Sequence, residues 1–285
     1  MEIPLLRGAL KVLRVWKSEP VQESPSTPVT REGLMARLAV TGPRDLAGEV
    51  LDDLDLRGAN LRGVRLKGAH LHRTNLEGAE LSEAELSETM LSGASLANAT
   101  LKGAILRDAN VLRVGPNPRE PVTLTGANLQ DADLVGCNLD HAKLIGAILD
   151  GANLREANLH RADLTGARLV GAILDGANLR HANLTDADLS DADLSTVDLV
   201  RATCTRASFA RARLYRASLK GAVLEGGNLQ GADLTEADLE HADLRNARLA
   251  GAIVTRADFD EVNLQGADLT GVDMSSASNY RPPNA

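Results

Sequence analysis

From Leu51 to Val111 an apolar residue returns at every fifth position, and twelve of these thirteen positions are Leu. From Leu124 to Met274 the same step yields 31 positions, of which 26 are Leu; the exceptions are Cys204, Phe209, Val254, Phe259 and Met274. Two residues before the centre, 33 of the 44 positions are Ala. A helix repeats its face every 3.6 residues or so and a strand every two. Five fits neither, and on one continuous strand it would throw each successive Leu onto the opposite face. The chain must therefore bend once per step. Nineteen of the 25 glycines lie two residues after a central residue. The third residue of a type II turn needs positive φ, which favours Gly and then Asn. A turn that starts on each central residue thus forms a corner, and corners of about 90° close a square after four steps. The Leu and Ala of each step point inward and the other three residues point out. The pattern predicts an all-β solenoid with 20 residues per coil and about eleven coils in its 44 steps. At roughly 4.8 Å per coil the rod is about 50 Å long.

The repeat breaks once, at "VLRVGPNPREPVTL", residues 111–124. The gap of 13 equals one normal step plus eight residues, and Gly115, Pro116, Pro118 and Pro121 cannot sit comfortably in a ladder. This predicts a surface loop at 112–121 between two stacked segments. Residues 1–44 form a different region. "PLLRGALKVLRVWK" sets Arg7, Lys11 and Arg14 on one helical stripe and runs into the Pro- and Ser-rich "SEPVQESPSTPVT". Packing on the rod, disorder and a basic membrane-surface helix are alternatives for this first segment. Thr30 reads as the N-cap of a second helix, "REGLMARLAV", placed to cap the first coil, because a solenoid end otherwise exposes apolar side chains. The solenoid is then 45–275 and the tail 276–285.

The unit A-(D/N)-L-x-x, as in "ANLRE", "ADLTG" and "ADLSD", resembles the pentapeptide repeat family over residues 49–275. The resemblance implies a right-handed quadrilateral β-helix. Some members of that family bind bacterial type II topoisomerases and protect them from quinolones or toxins. Their C-terminal helix builds a head-to-head dimer, and their central position is richer in Phe. Here the C-terminus is the short "SSASNYRPPNA", and the only Phe residues are Phe209 and Phe259.

Aromatic residues make up only 2% of the chain, so the interior must be narrow and built from Leu and Ala. Cys137 and Cys204 replace inward-facing residues 67 positions apart, which predicts no disulfide and a cytoplasmic setting. Residues 1–44 carry a net +3 and residues 45–285 a net −11, which argues against direct nucleic-acid binding. No catalytic constellation or cofactor motif stands out. His141, His181 and His241 share a corner at multiples of 20, but at least two coils apart and interleaved with Arg161 and Arg201. That column reads as surface decoration, without a metal.

Stacking sets residue n beside n+20, so Arg206 should pair with Asp186, Arg211 with Asp191, Arg213 with Asp193, and Glu236 with Arg216 and Arg256. Residues 230–273 carry ten acidic groups against three Arg, a surplus beyond what the fold needs. With Asp198, residues Asp233, Asp238, Asp243, Asp258 and Asp268 would give the rod an acidic surface. Two functions follow. One is a non-enzymatic DNA mimic bound to DNA gyrase or topoisomerase IV, with Arg113, Pro116, Asn117, Arg119 and Glu120 of the loop as contacts. The other is a rigid scaffold or adaptor between proteins. The last coil exposes Leu264, Leu269 and Met274 unless the tail or a second chain covers them. An end-to-end homodimer through Phe259, Leu264, Leu269 and Met274 is therefore expected.

Overall fold

The structure is a computed structural model that describes residues 29–39, 44–110 and 121–280. The solenoid region is a stack of four-sided coils. Each side contributes one bridging residue to a parallel ladder, as in Asn158↔Asn178↔Asp198↔Ser218↔Asp238↔Asp258. Turns interrupt the chain so often that no side grows into a strand; each consists of an isolated bridge and a corner. The stack begins one step before the first Leu of the sequence pattern: Asp45 pairs with Arg65, and Leu46 is buried.

The amide of each inward Ala donates to the carbonyl of the preceding central residue, as from Ala237 to Leu234 at 2.9 Å, and this closes the corner. The residue before that Ala has positive φ. Gly holds many of these corners, but Asp, Glu, Arg and His hold others, with φ of 52° to 62°. Holding an L-residue there costs about 1–2 kcal/mol, so ladder bonding and core packing override local preference at these corners.

The core is one continuous cluster from Leu34 to Phe259, almost wholly Leu and Ala. It does not divide at the sequence break. Ser95, Thr100, Ile105 and Asn110 pair with Thr123, Asn128, Asp133 and Asn138, a step of 28 in place of 20. Coils on the two sides of the break are thus direct neighbours. Residues 111–120 lie outside the described residues, as do the predicted first helix and the Pro-rich stretch after it.

Helix α1, Arg31–Ala39, precedes the first coil. The Thr30 hydroxyl accepts from the Gly33 amide at 3.2 Å, the N-cap that the sequence predicts. Leu34 is fully buried in the core cluster, with Val29, Met35 and Leu38 packed against it. The Arg31 guanidinium donates to the carbonyls of Asp55 and Arg57 at 2.6 and 3.1 Å, and Arg37 pairs with Glu49 at 2.9 Å.

At the other end a short 3₁₀ turn, Met274–Ser276, leads into a tail that folds back on the last coils. Ser278 bridges Asp258, and the Tyr280 ring stands edge-on to Phe259 with centroids 6.4 Å apart. Among the described residues no helix is long and apolar enough to cross a membrane.

Candidate functional site

The functional surface of this rod is its outer faces, and the hydrogen bonds of a single step explain their composition. In residues 233–237 four amides are satisfied by backbone: Asp233 donates to Ala212, Leu234 to Ile253, Glu236 to Thr255 and Ala237 to Leu234. The fifth amide, of Thr235, donates to Oδ1 of Asp233 at 3.0 Å. An Asp or Asn before the central Leu therefore completes the bonding of its own step.

All six Asp residues of the predicted acidic surface do this. Asp198, Asp238, Asp243, Asp258 and Asp268 accept from Val200, Glu240, Arg245, Asp260 and Thr270 at 3.0–3.1 Å. Each of these side chains thus has a task in the fold as an oxygen acceptor. Asn performs the same task, as Asn128 does for Gln130 at 3.0 Å and Asn178 for Arg180 at 3.1 Å. The oxygen acceptor is structural; the charge is not.

The six do not form one patch. Asp198, Asp238 and Asp258 share a single ladder, with Ser218 between the first two. Asp233, Asp243 and Asp268 belong one each to the other three sides. The shared ladder changes character along its length. Asn138 donates from its side-chain amide to Asn110 at 3.2 Å, Asn158 to Asn138 at 3.0 Å and Asn178 to Asn158 at 3.0 Å. Beyond Asn178 the ladder runs through Asp198, which Arg180 meets at 3.1 Å, then Ser218, Asp238 and Asp258. Glu240 and Glu261 lie beside it, both against His241, at 3.3 and 3.1 Å.

The predicted ion pairs form. Arg206 meets Asp186 at 2.7 Å, Arg211 meets Asp191 at 2.6 Å and Arg213 meets Asp193 at 3.9 Å. Glu236 takes Arg216 at 2.5 Å from one side and Arg256 from the other. The guanidinium hydrogen bonds hold the carboxyls of Asp186 and Asp191 below the usual range. These groups are exposed, and such pairs fix register more than they add stability.

His160 is the residue that sequence reasoning missed. It precedes a corner where His141 occupies one, so the two differ by 19 and face each other from adjacent coils, with ring centroids 6.0 Å apart. A count restricted to multiples of 20 passes over it. His160 Nδ1 lies 2.9 Å from Oδ1 of Asp140, and the ligating atoms of Asp140, His141 and His160 all fall within 4.8 Å of one another.

Both cysteines are free and buried, and burial pushes each thiol up to about 12, which makes them inert. Of the predicted dimer end, Leu264, Leu269 and Met274 are half-buried. Phe259 is only 3% exposed because the tail covers it, so it is not part of an open end. Its edge borders a recess of about 490 Å³ lined also by Val262, Leu264 and Tyr280. Arg113, Pro116, Asn117, Arg119 and Glu120 lie outside the described residues.

The family model of pentapeptide repeats matches residues 50–88, 69–108, 123–161, 162–199, 198–236 and 237–275. No curated protein matches the chain. Among solved structures it is similar to HetL, a pentapeptide repeat protein involved in heterocyst differentiation regulation from the cyanobacterium Nostoc sp. strain PCC 7120. Identity is 33% over 86% of this chain and 96% of that one, with a TM-score of 0.42. It is also similar to a trypsin-treated variant of QnrB1, a plasmid-mediated fluoroquinolone resistance protein. There the identity is 18% over 79% and 90% of the two chains, with a TM-score of 0.33. A pentapeptide repeat protein of the Arabidopsis thaliana thylakoid lumen is 29% identical over 45% of this chain and 68% of its own, with a TM-score of 0.18. This chain belongs to the pentapeptide repeat family, and its fold is the right-handed quadrilateral β-helix of that family.

Proposed function

We propose that this protein is a non-enzymatic interaction scaffold, a stiff rod that binds a basic surface of a partner protein along the ladder of Asp198, Asp238 and Asp258. One observation carries the reading. Asn serves the backbone as well as Asp at this position, yet the six Asn and two Asp of positions 128–183 give way to two Asn and nine Asp over 188–273. Folding does not require that change, whereas attraction to a cationic partner does. The groove of a DNA-binding enzyme is such a surface. A bacterial type II topoisomerase, DNA gyrase or topoisomerase IV, is the specific partner supported by the family resemblance and by the acidic half of the rod. An adaptor acting through residues 1–45 is the alternative. This reading places the protein in the cytoplasm, with α1 closing one end of the rod and a second copy meeting the other.

The test exploits the interchangeability of Asp and Asn. A triple variant, Asp198→Asn, Asp238→Asn and Asp258→Asn, keeps every amide bonded and removes three charges. Purified gyrase is assayed for supercoiling with each protein, with and without a quinolone, and binding is followed against salt. The wild type should bind and shift the assay, and the variant should lose about tenfold or more in affinity while melting at the same temperature. If the wild type leaves gyrase untouched, the topoisomerase reading falls. If the variant binds as well as the wild type, the Asp ladder is not the contact.

A further inference from the structure

We propose that Asp140, His141 and His160 form a binding site for one divalent transition-metal ion, Zn²⁺ foremost, at a corner of the coil. Imidazole nitrogen and carboxylate oxygen together suit Zn²⁺ and Co²⁺. Bonds of about 2.0–2.2 Å around a tetrahedral ion set its ligand atoms roughly 3.3–3.5 Å apart. Here Oδ1 of Asp140 lies 2.9 Å from Nδ1 of His160 and 3.8 Å from Nε2 of His141, and one ligand atom from each residue falls within 4.8 Å of the other two. Small side-chain rotations complete that geometry.

Three features show that the arrangement is held in place. The His141 amide donates to the His160 carbonyl at 2.9 Å, so the ladder itself fixes the two residues face to face. The amides of Asp140 and His160 are each anchored on the Asn two positions earlier, at 3.1 and 3.2 Å. The Asp140 side chain is only 14% exposed, and Nε2 of His141 is cut off from solvent with no hydrogen-bond partner. That buried nitrogen is aimed at a carboxylate beyond hydrogen-bond reach, and an ion between them gives both a ligand. An ion at Nδ1 of His160 calls for the neutral tautomer that carries its proton on Nε2, while Asp140 offers Oδ1.

The site takes three ligands from this chain and leaves the fourth position to water. His181 stands next in the row, its ring centroid 5.9 Å from that of His160, but it does not belong to the group whose ligand atoms lie within 4.8 Å of one another. The inference does not depend on the partner proposed above.

The experiment uses full-length protein without a histidine tag, stripped with chelator. It is titrated with Co²⁺, read by visible absorption, and with Zn²⁺, read by calorimetry. One ion per chain is expected. His141→Asn suits the backbone, since Asn246 occupies an equivalent corner at φ 56°. His160→Gln suits its position, where Gln130 and Gln230 stand in other coils. Each should lose about tenfold or more in affinity with an unchanged melting curve, and His241→Asn should bind as the wild type does. No binding with metal in large excess would overturn the proposal. So would equal binding by wild type, His141→Asn and His160→Gln.

Discussion

A corner residue of this protein must hold positive φ, which costs little at Gly and more at a residue with a side chain. Gly171, at φ 65°, has nothing within 4 Å of where a Cβ would stand, so substitutions there report backbone strain alone. Gly171→Val should lower unfolding free energy by about 1–2 kcal/mol, while Gly171→Asn should be close to neutral. Urea denaturation measures both, and equal effects would show that side-chain size, not φ, sets the cost. The residue before the central Leu obeys a different logic. Its side-chain oxygen completes the bonding of the step, which explains in physical terms why the repeat reads D or N there. The pattern was visible from the start, but its reason was not, because the amide it serves is identified only when the other four have found partners.

Among elements, α1 and the tail show how a solenoid meets its ends. The signals for α1 were legible: Thr30, an acidic first turn at Glu32 and a basic last turn at Arg37. Its seating was not, because Arg31 reaches the carbonyls of Asp55 and Arg57, 24 and 26 residues away. Leu34 is the one residue of α1 that is fully buried. Leu34→Ala should cost about 2–5 kcal/mol, read from chemical denaturation. A cost below about 1 kcal/mol would mean that the helix contributes little to closing the rod. At the far end the sequence assigns Phe259 to an end-to-end contact, and Tyr280 of the tail packs against it instead. Six residues after Met274 sufficed for this because Ser278 takes the ladder position above Asp258.

For the molecule as a whole, one narrow core runs from Leu34 to Phe259, and inward apolar side chains beyond Phe259 stay partly uncovered. Leu264, Leu269 and Met274 remain half-buried at the C-terminal end. Burying a Leu is worth about 1.5–3 kcal/mol, so a second copy has something to gain there. Sedimentation velocity should show a dimer that Leu269→Arg converts to a monomer. A wild type that stays monomeric at high concentration would refute the end-to-end contact. The electrostatics also belong to this scale. Many charges are matched coil to coil in pairs that the step of 20 predicts; on the ladder of Asp198, Asp238 and Asp258, Arg180 meets Asp198 at 3.1 Å and Lys220 meets the neighbouring Glu240, so these cations offset part of the acidic charge there.

The five-residue period by itself determined the square coil, the inward Leu and Ala, the pairing of n with n+20 and the ladder of Arg–Asp pairs. A strict repeat maps sequence distance onto spatial distance, so those contacts need no further information. Two things depended on the tertiary structure: the return of the tail over Phe259, and the contact of side chains at n and n+19 such as His141 and His160. The tail lies beyond the period, and the approach of n to n+19 follows from how each corner amide meets a carbonyl of the next coil, which only the folded chain displays.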